Sequence, residues 1–197
     1  MTGLNSAALY TVQALGNLYL IIVLLRFVLQ LVYANGNNPL SLFIIRATQP
    51  LLGPMRKVIP SISNFDGASL LLAIIVQMVL MALILKLFGI NPNNILQLFI
   101  WSIVGVTALL LKIFFFSLII EVILSWVAQG SSHPAVELVN QITSPLLNPI
   151  RRILPGMGGL DLSPIVAFLI LNLLDTFVIR NLAITTHMLR GLSIAIS

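Results

Sequence analysis

The sequence predicts an all-α membrane protein with four transmembrane helices in two parallel repeats, each built as span, interfacial helical hairpin, span. Three observations carry that expectation. First, 59% of the 197 residues are apolar and only 8% are charged, with a mean hydropathy of +1.10. A soluble domain is about one quarter charged, so a chain this poor in charge has lipid for much of its solvent. Second, four stretches reach the roughly 20 apolar residues that a helix needs to cross a bilayer. Third, the chain repeats itself. Thr48-Gln-Pro-Leu-Leu-Gly-Pro-Met-Arg-Lys-Val-Ile-Pro60 aligns without a gap on Thr143-Ser-Pro-Leu-Leu-Asn-Pro-Ile-Arg-Arg-Ile-Leu-Pro155, at an offset of 95. From 39–66 against 134–161, nine of 28 positions are identical, which divides the chain into repeats at 1–92 and 93–197.

The first span is expected at about 7–33, uncharged until Arg26. The N-terminus has no positive region before the apolar run, and the run is too long for a cleaved signal peptide, so it reads as a retained span. Asn38-Pro39 looks like a helix start, because proline fits the first helical turn. Pro50 is expected to end that short helix, since proline disfavours helical geometry in the residue before it. A second arm would then run to Pro60, completing a hairpin over 38–60. Asp66 fits the N-cap of a second span at about 67–88.

The second repeat follows the same plan. The apolar stretch 95–128 is about 51 Å long as a helix, more than a membrane needs. The offset maps span one onto 102–128, leaving 93–101 as an extra interfacial segment or a helix extension. Trp101 lies at that junction, and indoles favour the headgroup region. His133-Pro134 opens the second hairpin, at 134–155. In it Val136, Leu138, Val139 and Ile142 make an apolar stripe beside Glu137 and Gln141. Pro145 is expected to stop its first arm, Asn148-Pro149 to start the second and Pro155 to end it. Thr48 and Thr143 are read as closing the short helices by bonding backbone. Asp161 is placed as the N-cap of a fourth span at about 162–183, with an interfacial tail helix over 184–196.

Two spans per repeat send both repeats into the membrane in the same direction, related by a pseudo-two-fold axis along its normal. Both hairpins then fall on one face, with Arg46, Arg56, Lys57, Arg151 and Arg152, against Lys86, Arg180 and Arg190 opposite. That bias places the hairpins in the cytoplasm. The net charge of +5 reads as topology-setting charge and contact with anionic headgroups; no direct nucleic-acid role is expected.

Ionisable groups at membrane depth are costly and usually pair or line a cavity. Arg26 and Glu121 are 95 residues apart, as are Gln77 and Asn172. An Arg26–Glu121 ion pair across the axis is expected, with Gln77 and Asn172 completing a polar layer and Lys112 and Asp175 forming a deeper pair. The layer reads either as glue between helices or as an ion path. The repeated P-x-R-[KR]-x-x-P, with Pro50, Pro54, Arg56, Lys57 and Pro60 matched by Pro145, Pro149, Arg151, Arg152 and Pro155, reads either as a lipid anchor or as a docking platform for a membrane or cytosolic protein. A homo-oligomer is compatible with both.

The absence of cysteine removes disulfides and thiolate chemistry. His133 and His187 fall on opposite predicted faces and make no metal site. With no nucleophile–base pair and no glycine-rich phosphate loop, neither an enzyme nor a cofactor is expected.

Two spans around T-x-P-L-L-x-P-x-R-[KR]-x-[IL]-P, followed by an aspartate before the next span, occur twice here. This pattern resembles the YggT family of bacterial inner-membrane proteins, whose YlmG-type relatives carry one copy. The first copy departs at its end, with Ser61-Ile-Ser-Asn-Phe-Asp66 in place of Gly156-Met-Gly-Gly-Leu-Asp161. The resemblance implies a non-enzymatic membrane scaffold or assembly factor. It carries associations with osmotic-stress tolerance in the two-copy form, and with cell division, nucleoid distribution or cytochrome complex assembly in the one-copy form. The alternative is a small ion transporter or channel using the polar layer.

Overall fold

A computed structural model describes residues 3–91, 94–128, 133–154, 161–186 and 188. Its elements are α1 (Gly3–Leu31), α2 (Pro39–Val58), α3 (Gly67–Leu87), α4 (Ile95–Val127), α5 (Pro134–Ile153), α6 (Ser163–Leu174), a π-helical turn (Asp175–Ile179) and α7 (Arg180–Thr185). Four helical stretches are long and apolar enough to cross a membrane: Ala7–Leu31, Gly67–Leu87, Ile95–Val127 and Ser163–Thr185. Long helix, amphipathic helix, long helix is the element order in both halves.

The starts of α2 and α5 are those the sequence indicates. Asn38 Oδ1 accepts the Leu40 N–H at 3.0 Å, and His133 Nδ1 accepts the Ala135 N–H at 3.2 Å. The expected two-armed hairpins are not formed. Each is one continuous 20-residue helix that carries its prolines inside, Pro50 and Pro54 in α2, Pro145 and Pro149 in α5. The reason is their spacing. Prolines four apart share one helical face, and all four are exposed. The carbonyls they leave without a partner, four residues back, open toward water or headgroups instead of the core. Asn148 is accordingly an internal residue and not a cap. Thr48 and Thr143 bond carbonyls within these continuous helices, Thr48 to Ile44 and Thr143 to Val139, at 2.8 and 3.0 Å.

α4 runs unbroken from Ile95, so the surplus residues extend the helix. Trp101 is not a headgroup anchor. It is 6% exposed, packs with Met81, Leu98, Ile179 and Met188, and donates its indole N–H to the Thr186 carbonyl at 3.0 Å. The long α4 brings it below the end of the fourth span, and that terminal carbonyl needs a donor. Beyond Thr186 only Met188 is described, so the tail helix over 184–196 lies outside the described residues apart from its first ones, which continue α7; Pro155 and His187 lie outside them too.

The long helices pack in sequence, α1 on α3, α3 on α4, and α4 on the α6–α7 span. Leu20, Val23 and Leu24 of α1 meet Leu72 and Ala73 of α3 and Val106 and Ile113 of α4. The outer faces stay apolar: Ile165, Leu169 and Phe177 are each at least 60% exposed, as expected where lipid is the solvent. Gly105 lets α3 approach α4, since a Cβ there would stand 2.6 Å from Gln77 Nε2.

α2 and α5 lie against each other and against the bundle. Asn38 donates its side-chain N–H to the Pro134 carbonyl at 2.8 Å. The Asn35 backbone N–H bonds Gln141 Oε1 at 2.9 Å, and its side chain bonds Glu137 Oε1 at 3.1 Å. Both amphipathic helices therefore sit at one end of the bundle.

If the prolines serve no stop function, Pro50→Ala with Pro145→Ala keeps the fold and does not lower the melting temperature in detergent, because each change restores an intrahelical donor. A fall of more than a few degrees would show that the prolines stabilise the structure.

Candidate functional site

At the end of the bundle that carries α2, each half ties its basic motif to the aspartate ahead of the next span. Arg56 forms an ion pair with Asp66, and Arg151 with Asp161, at 2.8 Å in the second case. The arginine and aspartate are ten residues apart in both, so the motif helix is fastened to the start of the following membrane helix. Sequence reasoning gave these residues separate tasks, headgroup contact and helix capping, and missed the pair. The signal was present: both members recur at the same offset.

The two pairs differ in environment. The Asp66 side chain has no exposed surface and Arg56 is 25% exposed, whereas Arg151 and Asp161 are 42% and 43% exposed. Asp66 caps α3 by accepting the Ser69 N–H at 3.2 Å, and it also accepts the Ser69 hydroxyl. Burial favours its neutral acid, but the Ser69 hydroxyl, the Arg56 guanidinium and the Ser69 N–H outweigh that and hold the carboxyl below the ordinary carboxylate range. The residue matching Ser69 is Pro164, which has neither an N–H nor a hydroxyl. Asp161 turns instead to the Ser163 N–H at 2.9 Å. Leu162, without a side-chain cap, precedes α6. The expected cap is thus present at Asp66 and displaced at Asp161.

In each basic pair only the first residue is engaged in this way. Arg56 also donates to Gln30 Oε1 on α1 at 3.0 Å, linking three helices, and Arg151 donates its Nε–H to Asp161 at 2.9 Å. Lys57 and Arg152 are exposed, as is Arg46. The departure of the first copy at 61–66 also has a structure. Asn64 donates to the Leu31 carbonyl at 3.2 Å, the Tyr33 and Ser63 hydroxyls lie 3.0 Å apart, and Phe65 packs edge-on against Phe27 with centroids 5.6 Å apart. The loop is sewn to the end of α1.

The expected single polar layer is two separate sets, and the Arg26–Glu121 ion pair is not formed. Each group has its electrostatic neighbours in its own half. Arg26 has Arg56 and Asp66 as its electrostatic neighbours. Glu121 takes the Asn140 carboxamide, oriented with its nitrogen 2.9 and 2.6 Å from Oε1 and Oε2, and has Thr143 beside it. Nearer mid-bundle, Lys112 lines two cavities. One of about 120 Å³ includes Asn17, Gln77 and Gly105; the other, of about 250 Å³, includes Asn172 and Asp175. Gln77 and Asn172 therefore lie in different cavities, while Lys112 and Asp175 share one. Asn17 was overlooked in the sequence, although it stands 95 residues before Lys112.

Four lipid-length helices, with two basic amphipathic helices clasped at one end by Arg–Asp pairs, define a multi-pass helical membrane protein. Residues 5–87 and 100–182 both match the CCB3/YggT family, at starts separated by the same 95 residues, and the chain belongs to that family. It is 62% identical over 195 residues to the uncharacterized protein PA0392 of Pseudomonas aeruginosa, covering 98% of this chain and 99% of that one. It is 39% identical over 175 residues to the uncharacterized protein YggT of Escherichia coli K12, covering 87% and 89%. A 56-residue stretch is 45% identical to the chloroplastic YlmG homolog protein 2 of Arabidopsis thaliana, covering 28% and 22% of the two chains. No solved structure gives a significant match.

Removing one partner of a buried pair leaves an uncompensated charge and costs about 3–5 kcal/mol, whereas an exposed pair is worth about 0–1 kcal/mol. Arg56→Ala is therefore expected to destabilise far more than Arg151→Ala in detergent unfolding; equal effects would refute the distinction. Because the folded Asp66 carboxyl sits below its unfolded value of about 3.9, its contribution is complete at neutral pH and is lost as pH falls below about 4. In Asp66→Asn that acid-side loss is reduced, as read from melting temperatures between pH 3 and pH 7.

Proposed function

We propose that this protein is a non-enzymatic scaffold of the bacterial inner membrane that organises membrane or cytosolic partners at the face formed by α2 and α5. One observation carries the reading. Arg56 and Arg151 fix the two helices to the bundle, and their neighbours Lys57 and Arg152 stay exposed at the same end. The result is a pair of rigid amphipathic helices offering basic side chains. The positive bias of this end supports a cytoplasmic orientation. The described segments between the helices are short, which leaves these helices as the main surface outside the membrane. Osmotic-stress tolerance or cell division, implied by the family resemblance, are the settings in which such a scaffold would act.

A second reading, a small ion transporter, is favoured by the two cavities that share Lys112. Their polar lining, Asn17 and Gln77 on one side and Asn172 and Asp175 on the other, lies within the spans. Glu121 is not among their lining residues, so Lys112 is the informative position.

Photo-crosslinkers at Lys57 and Arg152 are expected to capture a defined partner in cells, and Lys57→Gln with Arg152→Gln to reduce that capture while the melting temperature holds. Capture equal to that from a lipid-facing position such as Leu169 would remove the scaffold reading. Ion flux in proteoliposomes that is lost in Lys112→Met would establish the transporter in its place.

A further inference from the structure

The cluster at the end of α1 has one positive charge too many. Arg56 and Asp66 are the charged neighbours of Arg26 there, and the bonds of Asp66 go elsewhere: one oxygen accepts the Ser69 N–H, the other the Ser69 hydroxyl and Arg56. Arg26 makes no hydrogen bond or ion pair with any described residue, and its Nε is buried without a partner. The Nε of Arg56 is likewise buried and unpartnered. Two neighbouring guanidiniums thus share one carboxylate, and one of them has nothing to bind. A half-buried cation left unpaired within a membrane span is unfavourable, so the site calls for an anion.

The second repeat carries no such positive surplus at the same place. Glu121 occupies the position of Arg26, and Asn140 meets its carboxylate. The surplus belongs to the first repeat alone, which separates it from the general attraction of exposed basic residues for a membrane.

The depth of Arg26 identifies the anion. It stands five residues before the end of α1 at Leu31, roughly 8 Å along the axis, at the end of the bundle that carries the amphipathic helices. Arg26 lies inside the apolar span Ala7–Leu31, and a long arginine side chain near a span end reaches toward the lipid phosphates at the interface. Guanidinium matches phosphate through paired N–H donors, and arginine is the side chain best suited to this task where water is scarce.

We propose that Arg26 and Arg56 form a selective site for a phosphate group, supplied by the headgroup of an anionic phospholipid bound between α1 and α2. The bound phosphate supplies the anion that Arg26 lacks among its protein neighbours. The proposal is tested at Arg26, which plays no part in the scaffold reading, so its failure is distinguishable from the failure of that reading.

The test uses the full chain in detergent, with phosphatidylglycerol, phosphatidylcholine and inorganic phosphate as probes, followed by native mass spectrometry and thermal unfolding. One phosphatidylglycerol is expected to stay bound and to raise the melting temperature, with phosphatidylcholine weaker. Arg26→Gln is expected to weaken retention about tenfold or more, from the strength of hydrogen bonds to charged groups. The same variant should be at least as stable as the parent without lipid, since it removes an unbalanced charge, which separates a lost site from a misfolded protein. Arg26→Lys should retain lipid in part. Arg152→Gln, which alters an exposed charge, should leave retention unchanged. Equal loss in Arg152→Gln and Arg26→Gln, or full retention in Arg26→Gln, overturns the proposal. Inorganic phosphate matching phosphatidylglycerol, with both effects lost in Arg26→Gln, keeps the phosphate site and overturns the lipid as its source.

Discussion

The Asp66 carboxylate has no exposed surface, so its charge must be answered by protein groups, and the surrounding structure is organised by that need. Its cap on α3 fixes where the second membrane helix begins. Its ion pair with Arg56 fixes α2 across that beginning, and Arg56 reaches on to Gln30 of α1. Three helices thus converge on one buried charge. A hydrophobic contact at this place would have allowed sliding. A charge that cannot remain unpaired does not, because every alternative register leaves it exposed to the full desolvation penalty.

The second repeat shows how a duplicated unit departs from its twin. Pro164 in the place of Ser69 removes both donors that bury Asp66. Asp161 remains bonded to Arg151 but stays near the surface. The cap of the following helix is displaced to the Ser163 N–H, and the sequence ahead of it is glycine-rich where the first repeat has the Ser63, Asn64 and Phe65 contacts. That proline accompanies the change from a buried three-helix junction to a surface ion pair. The same divergence separates Arg26 from Glu121, so equivalent positions hold opposite charges.

The amphipathic helices illustrate a second physical rule. Proline inside a helix is disruptive when the freed carbonyl is buried and tolerable when it faces polar surroundings. With the buried stripe at Ser41, Ile44, Thr48 and Leu52, the prolines of α2 can only fall on the outer face. Their spacing of four keeps them there. The motif that looks like a pair of helix stops is therefore a pattern for one long helix lying with its proline face outward.

Much of the molecule was legible in the chain itself. The hydropathy and the offset of 95 determined four spans, two amphipathic segments, their order and the starts at Asn38, Asp66 and His133, because each depends on local composition, capping chemistry or register. Tertiary structure decided the rest. Whether Pro50 and Pro145 end a helix depends on which face meets the core. Trp101 is buried because an over-long α4 reaches the carbonyl of Thr186. Arg26 and Glu121 were matched by symmetry in the sequence, yet electrostatic pairing is settled by distance. Asn140, brought in by its own amphipathic helix, meets Glu121, while Arg26 has Arg56 and Asp66 of its own half as charged neighbours.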